Sequence, residues 1–153
     1  MANTYTQLHF QVVFAVQNRY SLISNSWKDR LYQYMQSVII NHGHKPLAIN
    51  GMADHVHMVF GMRPSQSVSD LVKQVKMGSS IWINDSKFIT SKFRWQDGFG
   101  AFSYSKSQLP ALIHYVINQE IHHQKKTFLE EYREILDRSE TGYDPRFLFH
   151  EPA

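Results

Sequence analysis

The chain has 153 residues, no cysteine and a formal net charge of +3, with 42% hydrophobic and 19% charged residues. These values fit one soluble globular domain, exclude disulfide-stapled and thiolate-metal classes, and lean only slightly toward a polyanionic partner. No apolar run approaches the roughly 20 residues of a bilayer span, and MANTYTQLHF has neither the basic nor the apolar region of a signal peptide, so a cytoplasmic protein without a membrane partner is expected.

Residues 8–16, LHFQVVFAV, are apolar and β-rich and predict a first strand. After the loop NRYSLIS, a helix is expected from Ser26 to about Asn41. Its stripe is Trp27, Leu31, Tyr34, Met35, Val38 and Ile39, with Ser24 or Ser26 as N-cap and Gly43 as stop. KPLAINGM (45–52) and HVHMVFGM (55–62) predict two strands joined through Ala53 and Asp54 in a tight hairpin. Arg63-Pro64-Ser65 ends the second. Residues 67–85 read as a helix capped by Ser67, with Val68, Leu71, Val72 and Val75 on its apolar side.

A loop over 86–92 leads into FRWQDGFGAFSYS (93–105), expected to be a strand with a turn or bulge at its glycines. Ser107 is then expected to cap one long helix, with Pro110 in its first turn, running to about Leu136. From Thr141 no period is evident, and 141–153 reads as a tail of a single 1–153 domain. The order predicts an α+β split βαβ plan: an antiparallel sheet with helices on one face, the other face being free for a ligand or partner.

Two constellations carry chemistry. Side chains alternate across a strand, so His55, His57 and Val59 share one face while Val56, Met58 and Phe60 serve the opposite, apolar one. Two imidazoles so placed can converge on a cation, although a divalent ion needs at least one more ligand; otherwise they bond to backbone or water. Downstream, Tyr115 and Gln119 stand at i and i+4, about 5–6 Å apart at Cβ on a helix. A phenol of pKa near 10 becomes a useful nucleophile only where a cation polarises its target. Gln119 offers a neutral oxygen ligand; the plainer alternative is a half-buried tyrosine beside a solvated glutamine. Together the two pairs make a neutral three-ligand site with open positions for a phosphate, and a tyrosine near enough to attack it.

DHVHMVF (54–60), WQDGFGAFSYS (95–105) and YVINQEIHHQKKTF (115–128), in this order, resemble the HUH single-strand nucleases. More narrowly, they resemble the single-tyrosine transposases of the insertion-sequence 200/605 group. The opening strand followed by Asn18-Arg19-Tyr20 fits too, so the resemblance covers nearly the whole chain. It implies a ferredoxin-like or RRM-like fold, His55, His57 and Gln119 as ligands of Mg²⁺ or Mn²⁺, and Tyr115 as nucleophile. It also implies cleavage and rejoining of single-stranded DNA at hairpin-bearing transposon ends, through a covalent 5′-phosphotyrosine and a free 3′-OH. Members work as homodimers in which the tyrosine helix of one subunit can complete the partner's site. Spacing alone leaves assembly within or between chains open. Two other readings are a domesticated nuclease of the same fold acting on chromosomal repeat hairpins, and a non-catalytic single-strand-binding module.

Lys73 and Lys76, with Arg19, Arg63, Lys92 and Arg94, are candidate phosphate contacts. His123, one turn past Gln119, can reach the site or a phosphate, or lie on the surface with His122. Lys125, Lys126, Glu130, Glu131, Arg133 and Glu134 read as a solvated face. Phe99, Phe102 and Tyr104 can stack on bases or fill the core. Asp54 can orient an imidazole or simply occupy the hairpin turn.

Overall fold

The computed structural model describes residues 3–123 and 126–142. Its strands are β1 (His9–Ala15), β2 (Lys45–Met52), β3 (His55–Gly61) and β4 (Gly100–Tyr104), and its helices are α1 (Lys28–Asn41), α2 (Val68–Ser86), α3 (Leu109–Ile117), α4 (Gln119–His123) and α5 (Phe128–Arg138). The four strands form one antiparallel sheet in the order β2-β3-β1-β4. With helices between β1 and β2 and between β3 and β4, this is the ferredoxin-like split βαβ plan. Among the described residues no helix is long and apolar enough to cross a membrane.

Alternation in the central strands sorts side chains between two cores. Val12, Phe14, Val56, Met58 and Phe60 meet Leu31, Met35 and Ile39 of α1 and Leu71, Val72 and Val75 of α2. Ser67 caps α2 by accepting the Asp70 N–H at 3.0 Å. Trp95 is joined to the first core and makes an isolated bridge with Val16, ahead of β4. The stretch between them turns at Gly98, whose φ of +88° suits glycine.

The second face of the sheet is not open. Val13, Ala15 and Phe102 pack under Phe128, Leu129, Tyr132, Ile135 and Leu136 of α5, and Val59 packs under Leu109, Leu112 and Val116 of α3. Gly100 permits this, since a Cβ there would lie 2.4 Å from the Tyr132 hydroxyl.

The expected single long helix is three helices. Asn118 leaves helical geometry at φ −97°, ψ 30°, and its side chain donates to the His114 carbonyl. Thr127 starts a new helix by accepting the Glu130 N–H at 3.2 Å. The start of α3 is also set differently: Ser105, not Ser107, forms a capping box with Gln108. Breaking the helix lets α5 fold back across the sheet.

Candidate active site

The hairpin register places the histidines. His55 pairs with Ala15 and Met52, and His57 with Val13 and Asn50, at the centre of the sheet, and both are fully buried. The Asn50 amide donates to the carbonyls of Val116 and Ile117 at 3.0 and 2.9 Å. It thereby satisfies the open end of α3 and anchors the turn into α4. Gln119 is thus fully buried against the histidines, while Tyr115 stands half-buried beside His57 with ring centroids 6.1 Å apart.

Each imidazole is held from outside. His55 Nδ1 donates to Asp54 Oδ1 at 2.7 Å, and His57 Nδ1 donates to Gln11 Oε1 at 2.8 Å. The Gln11 amide nitrogen donates onward to the Tyr104 hydroxyl at 2.9 Å. A neutral imidazole has one N–H, so in the tautomer with that proton on Nδ1 each inner Nε2 carries a lone pair. They face acceptors: His55 Nε2 lies 3.3 Å from Gln119 Oε1 and 3.7 Å from Glu131 Oε1, and His57 Nε2 lies 3.0 Å from Glu131 Oε1. Burial, only partly offset by Asp54, pushes His55 below its usual value and keeps it neutral.

Lone pairs converging without protons between them suit a cation. Donor atoms bound at about 2.0–2.2 Å to one divalent ion sit about 3–3.6 Å apart, close to these spacings. The ligand atoms of His55, His57 and Glu131 all lie within 4.8 Å of one another. The donor set of imidazole, amide oxygen and carboxylate therefore fits a hard divalent metal, with imidazole tilting preference toward Mn²⁺ over Mg²⁺.

Glu131 does not belong to a solvated face. It is 3% exposed and takes hydrogen bonds from the Gln119 amide at 3.1 Å and from the Tyr115 hydroxyl. Burial opposes its charge, but contact with His123 and then with the histidine pair outweighs that and holds the carboxyl well below its usual range. Burial first, then the Glu131 charge, pushes the Tyr115 phenol upward. A signal was present in the sequence: Phe128, Glu131, Tyr132 and Ile135 form one helical stripe with a single carboxylate in it. Gln11 gives the same signal, a lone amide on the strand face shared with Val13 and Ala15.

Several expected DNA contacts are placed elsewhere. Arg19 is 4% exposed, with φ +53°; it pairs with Asp54 at 3.0 Å and lies over the Phe128 ring, which stacks on His55. It is therefore a support behind the site, and Asp54 both occupies the turn and orients His55. Lys76 donates to the carbonyls of Gln96 and Gly98 at 2.7 and 2.9 Å, tying the loop before β4 to α2. His123 approaches Gln119 Oε1 and Glu131 Oε1, both at 3.2 Å, so it faces the site and not a surface phosphate. Arg63, Lys73, Lys92 and Arg94 are exposed. Phe102 is core and, with Tyr104, lines a groove of ≈ 880 Å³ whose walls also include Ser107, Gln108, Tyr115 and Arg138. Lys125 and the stretch from residue 143 lie outside the described residues.

The comparisons with known proteins bear on the family and the fold. A family model described as "Transposase IS200 like" matches residues 4–119. The ISDra2 transposase TnpA of Deinococcus radiodurans is 26% identical over 74 residues, which are 48% of this chain and 53% of that protein. The chain thus matches about half the length of that relative. Two solved structures share the fold. One, described as a transposase from Deinococcus radiodurans, has a TM-score of 0.63 at 18% identity over 78% of this chain and 95% of its own. The other, a REP-associated tyrosine transposase bound to a REP hairpin, has a TM-score of 0.60 at 13% identity over 80% and 73%. The ferredoxin-like sheet, its buried histidine pair and the family match over most of the chain lead to one conclusion: this protein belongs to the IS200-like transposase family.

Proposed function

We propose that the chain cleaves and rejoins single-stranded DNA with Tyr115 as nucleophile and with His55, His57 and Gln119 holding Mg²⁺ or Mn²⁺. One observation carries this reading. The inward lone pairs of both imidazoles, the Gln119 carbonyl oxygen and the Tyr115 phenol converge at one buried point beside an open groove. The cation, when bound, supplies charge compensation at the scissile phosphate.

The chain's own residues do the rest. Tyr115 Oη attacks phosphorus and the bond from phosphorus to the 3′ oxygen breaks. The phenolic proton is given up, and the departing oxygen takes up a proton to become a 3′-OH. The 5′ side stays on the protein as a phosphotyrosine ester. Burial and the Glu131 charge disfavour the phenolate and hold the phenol protonated in the resting site. Rejoining is the reverse, with a 3′-OH attacking the ester, so the bond energy is retained without ATP. The groove suits a few unpaired nucleotides, and exposed Arg63, Lys73 and Arg94 suit the backbone of a neighbouring hairpin. The REP-associated relative was solved with such a hairpin.

The test is a denaturant-resistant protein–DNA adduct on a hairpin-bearing single strand with Mn²⁺. The adduct is expected to vanish with EDTA and in Tyr115→Phe. An adduct that persists in Tyr115→Phe refutes the assignment.

A further inference from the structure

Glu131 is placed by a part of the chain that the family model does not reach: the match ends at residue 119, and α5 spans Phe128–Arg138. Its carboxylate is buried, and among the described residues its ion-pair partners are imidazoles alone, at 3.0 Å from His57, 3.2 Å from His123 and 3.7 Å from His55. A buried carboxylate needs a positive partner or a metal. His55 and His57 use their single N–H groups on Asp54 and Gln11, so as neutral rings they offer Glu131 lone pairs, not protons. The two carboxylate oxygens face different groups. Oε1 faces His57, His55 and His123, whereas Oε2 accepts from the Tyr115 hydroxyl and the Gln119 amide.

We propose that Glu131 is a shared carboxylate: Oε1 is a fourth ligand of the divalent cation, while Oε2 holds the Tyr115 phenol, so one side chain couples cation occupancy to the position of the nucleophile. The proposal rests on the histidine cation site of the proposed function and deepens it. Adding Glu131 turns a neutral ligand set into one carrying a negative charge, which strengthens attraction for a divalent ion. His123, placed to donate to both Glu131 Oε1 and Gln119 Oε1, orients two ligands from behind. α5 is thereby part of the site, not an appendage to it.

Two measurements on the full chain without DNA test this. The first is calorimetric titration with Mn²⁺ of wild type, Glu131→Gln and His57→Ala. The second is ¹³C NMR of ζ-labelled tyrosine, with the Tyr115 signal assigned through Tyr115→Phe, before and after saturation with diamagnetic Mg²⁺. Glu131→Gln is expected to bind Mn²⁺ at least about tenfold more weakly than wild type. The Tyr115 signal is expected to move with Mg²⁺ in wild type and to stay put in Glu131→Gln. Wild-type affinity in Glu131→Gln, with binding lost in His57→Ala, overturns the shared carboxylate and leaves the histidine site standing. Wild-type affinity in both variants removes the cation site itself. If circular dichroism shows Glu131→Gln unfolded, the wild-type spectrum decides: a Tyr115 signal unmoved by saturating Mg²⁺ overturns the proposal.

Discussion

Gln11 Oε1 accepts the Nδ1–H of His57 at 2.8 Å across the β1–β3 pair, 46 residues apart in sequence. This contact decides which nitrogen of His57 is left bare. The Gln11 amide nitrogen donates in turn to the Tyr104 hydroxyl at 2.9 Å, so His57 stands at the end of a chain of three side chains rooted in the sheet.

Replacing Gln11 by Leu removes that contact while keeping the strand apolar and of similar bulk. His57 can then carry its proton on Nε2, where a cation would otherwise bind. Mn²⁺ affinity by calorimetry is expected to fall about 10- to 100-fold, with the circular dichroism spectrum unchanged. Unaltered affinity would mean that some other group fixes the ring.

Asp54 joins the 4%-exposed Arg19 to His55. Burial raises the Asp54 carboxyl, but the His55 and Arg19 contacts outweigh it and leave the group below its usual 3.8. A depressed folded-state value contributes stability that is full above the unfolded value and is lost as pH falls through the folded one. Asp54→Asn removes the carboxylate charge that Arg19 and His55 share and is expected to destabilise by about 2 kcal/mol at pH 7. Denaturant melts should show this gap narrowing below pH 4 as the wild-type carboxyl is protonated. A gap independent of pH would show that the aspartate charge is not what Arg19 and His55 use.

The histidine pair was legible because a period of two put both imidazoles opposite three apolar neighbours. Tyr115 and Gln119 were legible as one turn of helix. Glu131 was not, because charged residues on every turn of KKTFLEEYREIL hide one carboxylate whose burial depends on a helix folding back over the sheet. A local cue to that fold-back existed in Thr127-Phe128-Leu129-Glu130, a capping-box sequence that restarts a helix where a single one was expected. The lysines show the same limit. Lys73 and Lys76 look alike in sequence, yet only Lys76 has loop carbonyls within reach, and that is set by where the glycine turn before β4 comes to rest.

That difference between the lysines is measurable. Lys73 is exposed, whereas the Lys76 ammonium is engaged with the Gln96 and Gly98 carbonyls. If Lys73 and Arg94 each neutralise one phosphate, Lys73→Ala or Arg94→Ala should reduce the slope of log affinity against log salt by about 0.7 on single-stranded DNA. Lys76→Ala should leave the slope unchanged and instead lower the melting temperature. A reduced slope in Lys76→Ala would mean that its ammonium leaves the loop for the backbone of the nucleic acid.

Whether Tyr115 serves its own chain's histidines is decided by mixing two inactive variants. α3 is anchored at both ends to its own sheet. The Ser105–Gln108 capping box joins it to β4 at the start, and Asn50 of β2 binds its last carbonyls. Between them Leu109, Leu112 and Val116 cover Val59 of β3. The connection from Tyr104 to Leu109 could span roughly 17 Å if fully drawn out, but drawing it out dismantles the cap. Tyr115→Phe lacks the nucleophile and His57→Ala lacks a ligand, so a mixture regains adduct formation only if one chain's tyrosine reaches another chain's histidines. Equal mixtures, incubated long enough for any dimers to exchange, are expected to stay inactive. Recovery of about a quarter of wild-type activity, the random share of mixed dimers with one intact composite site out of two, would show that α3 and its tyrosine are exchanged between copies.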